Sequence, residues 1–234
     1  MPLQQLPAGL AEVSDVAIAA QARTRTNLAL HHLFAACRFA AQLRRVELAN
    51  QGAPFGPFWE EILQNALGVA TLAVAALESY ANQYYADGAL ESSALNDAAA
   101  TMIARLVDRE DILTKFDLAL SLRSGKSLDR GALVVQNVDT LIKLRNAVVH
   151  FRPEWQDEQT LHAKLSRQLA HRFDGSPFFA EEALFPRGWA SGSFAAWALQ
   201  STVAFLDHFC SEAALPSKLE KFRTRLQELS EGAV

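Results

Sequence analysis

Three polar residues stand close together where an apolar stretch ends, and their side chains are the best suited to chemistry in this chain. They are Arg145, Asn146 and His150, within the segment 141–155. A guanidinium is always charged and presents a fork of donors that matches phosphate oxygens, whereas an imidazole changes its protonation near neutral pH. Side by side, these groups predict a site that handles a phosphate ester.

The spacing of the neighbouring residues predicts a helix that presents this site at its end. An apolar stripe recurs at three- and four-residue intervals: Leu141, Leu144 and Val148. Asn146 and His150 are four residues apart and therefore share a more polar face. Pro153 disfavours helical geometry at the residue before it, so the helix, predicted over 132–151, should end close to His150 and expose its ring.

Helical periodicity dominates the rest of the chain. It predicts further helices over residues 14–50, 57–86, 96–121 with a break near Asp108, 157–171, 194–210 and 217–230. Small residues between Ala66 and Ala76 would let a neighbour approach closely, which places the helix 57–86 at the centre of the bundle, packed against the helix 132–151. Residues 172–191 should be irregular. With no segment of strand-like alternation, the pattern predicts an all-α antiparallel helical bundle with additional C-terminal helices.

Composition limits the class of protein. The chain has 234 residues, half of them hydrophobic, which suits a single domain over 1–234. Its net charge of -4 argues against non-specific coating of nucleic acid. Cys37 and Cys210 stand far apart in apolar helices, which predicts free thiols in a reducing compartment. The apolar run Leu67–Leu77 is short and is followed by Glu78, so we expect a cytoplasmic protein without a membrane span.

The segment Leu-Arg-Asn-Ala-Val-Val-His at 144–150 resembles the signature of the HEPN superfamily of α-helical bundle proteins. That signature is an arginine, often followed by a polar residue, and then a histidine after four to six intervening residues; here there are four. Glu78 and Asn82 match an acidic residue and an asparagine on an earlier helix, and a helix with Lys115 and Asp117 follows. The resemblance covers about 57–155 and leaves about 156–234 as a C-terminal helical extension.

The resemblance implies a mechanism. Many HEPN proteins are metal-independent endoribonucleases that place the arginine and histidine of two subunits in one composite cleft. By that resemblance, His150 acts on the ribose 2′-hydroxyl or the leaving oxygen, Arg145 neutralises the phosphorane, and Asn146 orients the histidine or the phosphate. Glu78 and Asn82 are expected to support the site. We therefore expect no metal or cofactor, an RNA substrate, and a homodimer with the end of the 132–151 helix near its two-fold axis.

One position departs from the family pattern. In HEPN toxins that a partner nucleotidyltransferase silences, a tyrosine follows the histidine by two residues, but Arg152 occupies that position here. This departure argues against that mode of control and makes Arg152 a candidate second phosphate contact. A role as a toxin or defence effector, with a protein inhibitor or antitoxin as partner, stays within the hypothesis.

Structural alternatives remain open for these residues. Arg145 would have a structural role if it paired with a carboxylate such as Glu78, and His150 if it served only to favour the helix dipole. Glu78 and Asn82 would have one if they formed an interhelix hydrogen bond. The tyrosines at 80, 84 and 85 could stack bases or simply pack. The alternative function is a non-catalytic HEPN bundle that binds nucleotides or a protein partner.

Overall fold

A computed structural model describes residues 28–86, 97–153 and 160–231, which are helical and contain no strand. The α-helices are α1 (Leu28–Ala49), α2 (Phe58–Ala86), α3 (Asp97–Val107), α4 (Ile112–Ser124), α5 (Leu133–Val149), α6 (Thr160–Leu169), α7 (Gly192–Glu212) and α8 (Arg223–Glu231). The prediction of an all-α bundle is confirmed. The predicted start of the first helix, the cap at Asn96 and residues 157–159 lie outside the described residues.

Helices α1 and α2 form a closely packed hairpin. Gly68 of α2 lies under the ring of Phe39, and a Cβ atom at Gly68 would be 2.8 Å from the ring's Cγ. The small residues along the same helix are fully buried: Ala66, Ala70 and Ala73. As predicted, the run of small side chains lets a neighbouring helix approach the α2 backbone.

Two helices occupy the centre of the bundle. α2 packs against α1, α4, α5 and α7, so the predicted contact between the helices at 57–86 and 132–151 is confirmed. α7 packs against α1, α2, α4 and α5, and the side chains of Phe194, Phe205 and Phe209 are fully buried. The C-terminal third therefore supplies a core helix as well as outer ones, and the described α-helices other than α3 contribute buried residues to one hydrophobic core.

Caps define the elements that lead to α5. The Asp111 carboxylate accepts a hydrogen bond from the Thr114 amide, 3.0 Å away, and so starts α4 after the predicted break near Asp108. Gly125 ends α4 in the left-handed region at φ 67°, where its N–H donates to the Ser121 carbonyl. This helix continues to Ser124, slightly beyond its predicted end.

The segments around α7 and α8 are less regular. The stretch 172–191 contains a 3₁₀ turn, Pro177–Phe179, and one wide turn, Leu184–Gly188, which agrees with its predicted irregularity. The last helix starts later than predicted, after a 3₁₀ turn at Glu220–Phe222. The Ser217 hydroxyl donates to Asp207 of α7, 2.7 Å away, and accepts from the Leu219 amide, so these residues form a turn instead.

By length and composition, α2 is apolar enough to cross a membrane, with a mean hydropathy of 1.4 in its most apolar window. Half of that window is buried inside the bundle, and the core helix of a soluble protein has the same properties. The predicted absence of a membrane span and the cytoplasmic location stay predictions.

Candidate functional site

The end of α5 presents His150 to solvent. This histidine, with Arg145 and Asn146, forms the motif at the end of the helix. Leu141 and Leu144 are fully buried and hold the helix in the core. His150 caps the helix with φ -107° and ψ 37°, and its backbone N–H donates to the Asn146 carbonyl at 2.9 Å. The side chains of Asn146 and His150 are both exposed. The predicted helix end before Pro153 and the exposed ring are confirmed.

Arg145 is partly buried on the same turn. Its Nε atom is buried and has no hydrogen-bond partner among the described residues. The structural alternative was an ion pair with a carboxylate such as Glu78; among the described residues Arg145 forms no ion pair with Glu78, which lies 3.8 Å from Lys115 Nζ. Because the Nε atom has no contact with solvent, a ligand could reach it only after a local rearrangement.

The two candidate supporting residues on α2 are engaged with α4. The buried ammonium of Lys115 donates to Asn82 Oδ1 at 2.9 Å, and Glu78 Oε1 lies 3.8 Å from the same nitrogen. The Tyr85 hydroxyl donates to the Lys115 carbonyl at 2.7 Å. Glu78 and Asn82 thus form the interhelix contact named as their structural alternative, and no hydrogen bond or ion pair joins them to a described residue of the motif.

Arg152 is exposed, and its backbone is held by a residue that the motif does not contain. Nε2 of His162, on α6, lies 3.0 Å from the Arg152 carbonyl. The imidazole stacks on Phe151 with a centroid separation of 5.5 Å and an interplanar angle of 7°. His162 therefore contacts the two residues that directly follow His150.

The tyrosines and cysteines have packing roles. The Tyr80 hydroxyl is 3.1 Å from Cys210 Sγ in the core, and burial raises the pKa of Tyr80. Tyr84 lies edge-on to Phe209, as part of the same aromatic core. Both cysteines are free and buried, as predicted, and burial raises the pKa of Cys37 to about 11. These contacts favour packing over base stacking for the three tyrosines.

Two participants were missed by reasoning from the sequence. Lys115 was noted only as part of the family pattern, although its burial makes it the partner of Glu78 and Asn82. His162 lies ten residues from Arg152 on another helix, and its own neighbourhood carried little signal. A histidine on the apolar side of a short helix that follows a proline is the only sequence feature that pointed to it.

A groove of about 430 Å³ lies elsewhere, between α1, α7 and α8. Its apolar lining includes Leu33, Cys37, Leu199, Val203 and Leu226, with Asp207 and Arg223 at one side. Among the described residues there is no group of three or more His, Cys, Asp or Glu side chains that could hold a metal ion.

No protein-family model matches this chain, and neither does a curated protein or a solved structure.

Proposed function

We propose that the protein is a metal-independent endoribonuclease of the HEPN type and that it acts as a dimer. The observation that carries this proposal is the state of the motif: Arg145 has a buried Nε with no partner among the described residues, and His150, five residues later, is exposed at the helix end. A guanidinium and an accessible imidazole are side chains that phosphodiester cleavage can use.

In the proposed reaction, the ribose 2′-oxygen attacks the adjacent phosphorus and the bond from phosphorus to the 5′-oxygen breaks. His150 accepts the 2′-hydroxyl proton or donates a proton to the leaving oxygen, which are the two general acid–base roles. Arg145 stabilises the charge on the phosphorane oxygens through its forked donors. Asn146, one turn before His150, orients the ring or the phosphate.

A second copy of the motif would supply the complementary proton transfer. Within one chain, a single histidine cannot be protonated and deprotonated at the same moment, whereas two copies of His150 in one cleft can divide the roles. Apolar side chains flank the motif: Val149 is 54% exposed and Phe151 is 46% exposed. Such a surface beside a polar site suits a two-fold contact with a second copy.

The test is an RNA cleavage assay with purified protein on mixed cellular RNA. Wild type should cleave with or without EDTA, and His150→Ala should lose activity by roughly 10²–10⁴-fold, the usual contribution of a general acid or base. A wild type that leaves RNA intact, or a fully active His150→Ala, would overturn the proposal. A cleaving enzyme of this kind would fit a toxin or defence effector held in check by an inhibitor.

A second candidate function is a non-catalytic bundle that binds nucleotides or a protein partner. The net charge of -4 favours it, because an acidic chain attracts RNA weakly, and so does the apolar surface at Val149 and Phe151. Under this function Val149→Glu would abolish capture of the partner protein, while His150→Ala would have no effect on any measured activity.

A further inference from the structure

His162 is placed to control the backbone on which His150 is carried. Its side chain is 8% exposed on α6, and it faces the short segment Phe151–Pro153 between the end of α5 and the proline. This segment follows the last helical hydrogen bond of α5, from the His150 amide to the Asn146 carbonyl. Its backbone must therefore be fixed by something other than the helix.

The contact to Arg152 is directional. A carbonyl oxygen can only accept, so Nε2 of His162 carries the hydrogen and donates it over 3.0 Å. The donor and acceptor are ten residues apart along the chain, and the bond joins α6 to the segment that follows α5. It anchors the carbonyl two residues after His150.

Aromatic packing fixes the same segment from its side-chain face. The His162 ring lies nearly parallel to Phe151, and Phe185 packs against the imidazole with ring centroids 4.9 Å apart. Phe185 is fully buried, so the stack is attached to the core and not to another loop. The imidazole thus binds one backbone carbonyl and one ring of the two residues next to the motif.

We infer that His162 is a positioning residue for the RNA-cleaving site, an inference that rests on the function proposed above. By holding Phe151 and Arg152, it sets where the His150 ring stands relative to Arg145. Misplacement of a catalytic group by about 1 Å costs on the order of 100-fold in rate. The substituted protein should therefore lose turnover while its RNA affinity changes little.

The test compares two substitutions at this position with a control elsewhere. His162→Leu removes the donor, whereas His162→Gln keeps an N–H that can reach the Arg152 carbonyl. We expect kcat to fall roughly 10–100-fold in the leucine variant, with KM within about 3-fold, and to stay within about 3-fold of wild type in the glutamine variant. His31→Leu, at an exposed histidine of α1, is the matched control and should equal wild type. An unchanged kcat in His162→Leu, or equal losses in both variants, would overturn the inference.

A second variant applies if His162→Leu does not fold, and a second measurement applies if the wild type does not cleave RNA. If His162→Leu fails to melt cooperatively, His162→Asn is the second variant, because its shorter amide holds the N–H out of reach of the Arg152 carbonyl; it should lower kcat roughly 10-fold or more relative to His162→Gln, and an equal kcat would count against positioning. If wild type does not cleave RNA, the proposed function fails, and the NMR signal of the His150 ring decides the positioning role separately. That signal should shift in His162→Leu and remain in place in His162→Gln; identical spectra would contradict the inference.

Discussion

Arg145 and Lys115 are both partly or wholly buried cations, and their surroundings differ. Lys115 is 2% exposed and has an amide acceptor in Asn82 and a carboxylate neighbour in Glu78. Arg145 has a buried Nε without an acceptor among the described residues. The contacts of Lys115 give it a structural role, whereas the role proposed for Arg145 is to bind the phosphate of an RNA substrate.

We expect the guanidinium shape of Arg145, beyond its charge, to matter for cleavage. Arg145→Lys should lower kcat/KM nearly as far as Arg145→Ala, by about 10²-fold or more, because an ammonium cannot contact two phosphate oxygens in one plane. The measurement is cleavage of a short RNA by both variants, with their melting temperatures. A lysine variant that keeps most of the activity would show that Arg145 acts only as a point charge.

We expect the effects of substitutions at Lys115 and Asn82 on the free energy of unfolding to be strongly coupled. Asn82→Ala should cost about 1–3 kcal/mol, because it leaves a buried ammonium without its closest acceptor. Lys115→Met removes that ammonium at similar volume and should be close to neutral. In the Lys115→Met background, Asn82→Ala should then cost little, within about 0.5 kcal/mol. Urea unfolding of the four proteins measures this cycle, and additive costs would contradict the interhelix role.

For the helices, residue types near an element predicted where it ends. Side-chain contacts between positions far apart in the sequence were not predicted. Pro153 disfavours helical geometry at the residue before it, so the end of α5 close to His150 followed from a local residue type. The bond between Lys115 and Asn82 joins positions 33 apart, and nothing in either neighbourhood indicated it. His162 was missed for the same reason. Of the candidate site, its polar end was predictable, whereas the surroundings that hold it were not.

Replacing Gly68 of α2 with alanine should destabilise the protein, although a glycine-to-alanine change inside a helix usually stabilises it. Gly68→Ala would place a Cβ atom 2.8 Å from the Cγ of Phe39, which is the ring atom nearest the α1 backbone, so the whole ring would have to move. We therefore expect a loss of about 1–3 kcal/mol from overpacking, in spite of alanine's better helix propensity. In a Phe39→Ala background the same change should instead stabilise, by about 0.5–1 kcal/mol. Thermal melts of these variants measure the effect. A Gly68→Ala protein that melts at a higher temperature than wild type would show that the contact with Phe39 is loose.

The whole molecule leaves apolar side chains at both ends of α5. Leu133, near the helix start, is 68% exposed, and Val149, beside the motif, is 54% exposed. A composite site requires that the Val149 end, and not the Leu133 end, meets a second copy. The proposed function thus requires a dimer contact at the Val149 end of α5, in addition to the chemistry of Arg145 and His150.

We expect a homodimer at micromolar concentration that Val149→Glu weakens and Leu133→Glu does not. A charge placed in an apolar two-fold contact faces its own copy, so the dimer dissociation constant should rise at least about 10-fold. Light scattering over a concentration series measures it. A wild type that is monomeric throughout, or an effect of Leu133→Glu equal to that of Val149→Glu, would remove the support for a composite site at the α5 end.

The rate at which the two buried thiols react reports on how often the bundle opens. Cys37 on α1 is 3% exposed and Cys210 on α7 is 2% exposed, and burial raises the pKa of both. A thiol reagent attacks only an accessible thiolate, so labelling under native conditions must wait until the helix opens. Because α1 and α7 share one core, we expect both cysteines to be labelled at one rate with the same urea dependence, as mass spectrometry of peptides would show. Because Cys37 also lines the groove between α1, α7 and α8, faster labelling of Cys37 without urea dependence would mean direct access through that groove. Faster labelling with a urea dependence of its own would mean that α1 detaches by itself while the helices around the motif stay closed.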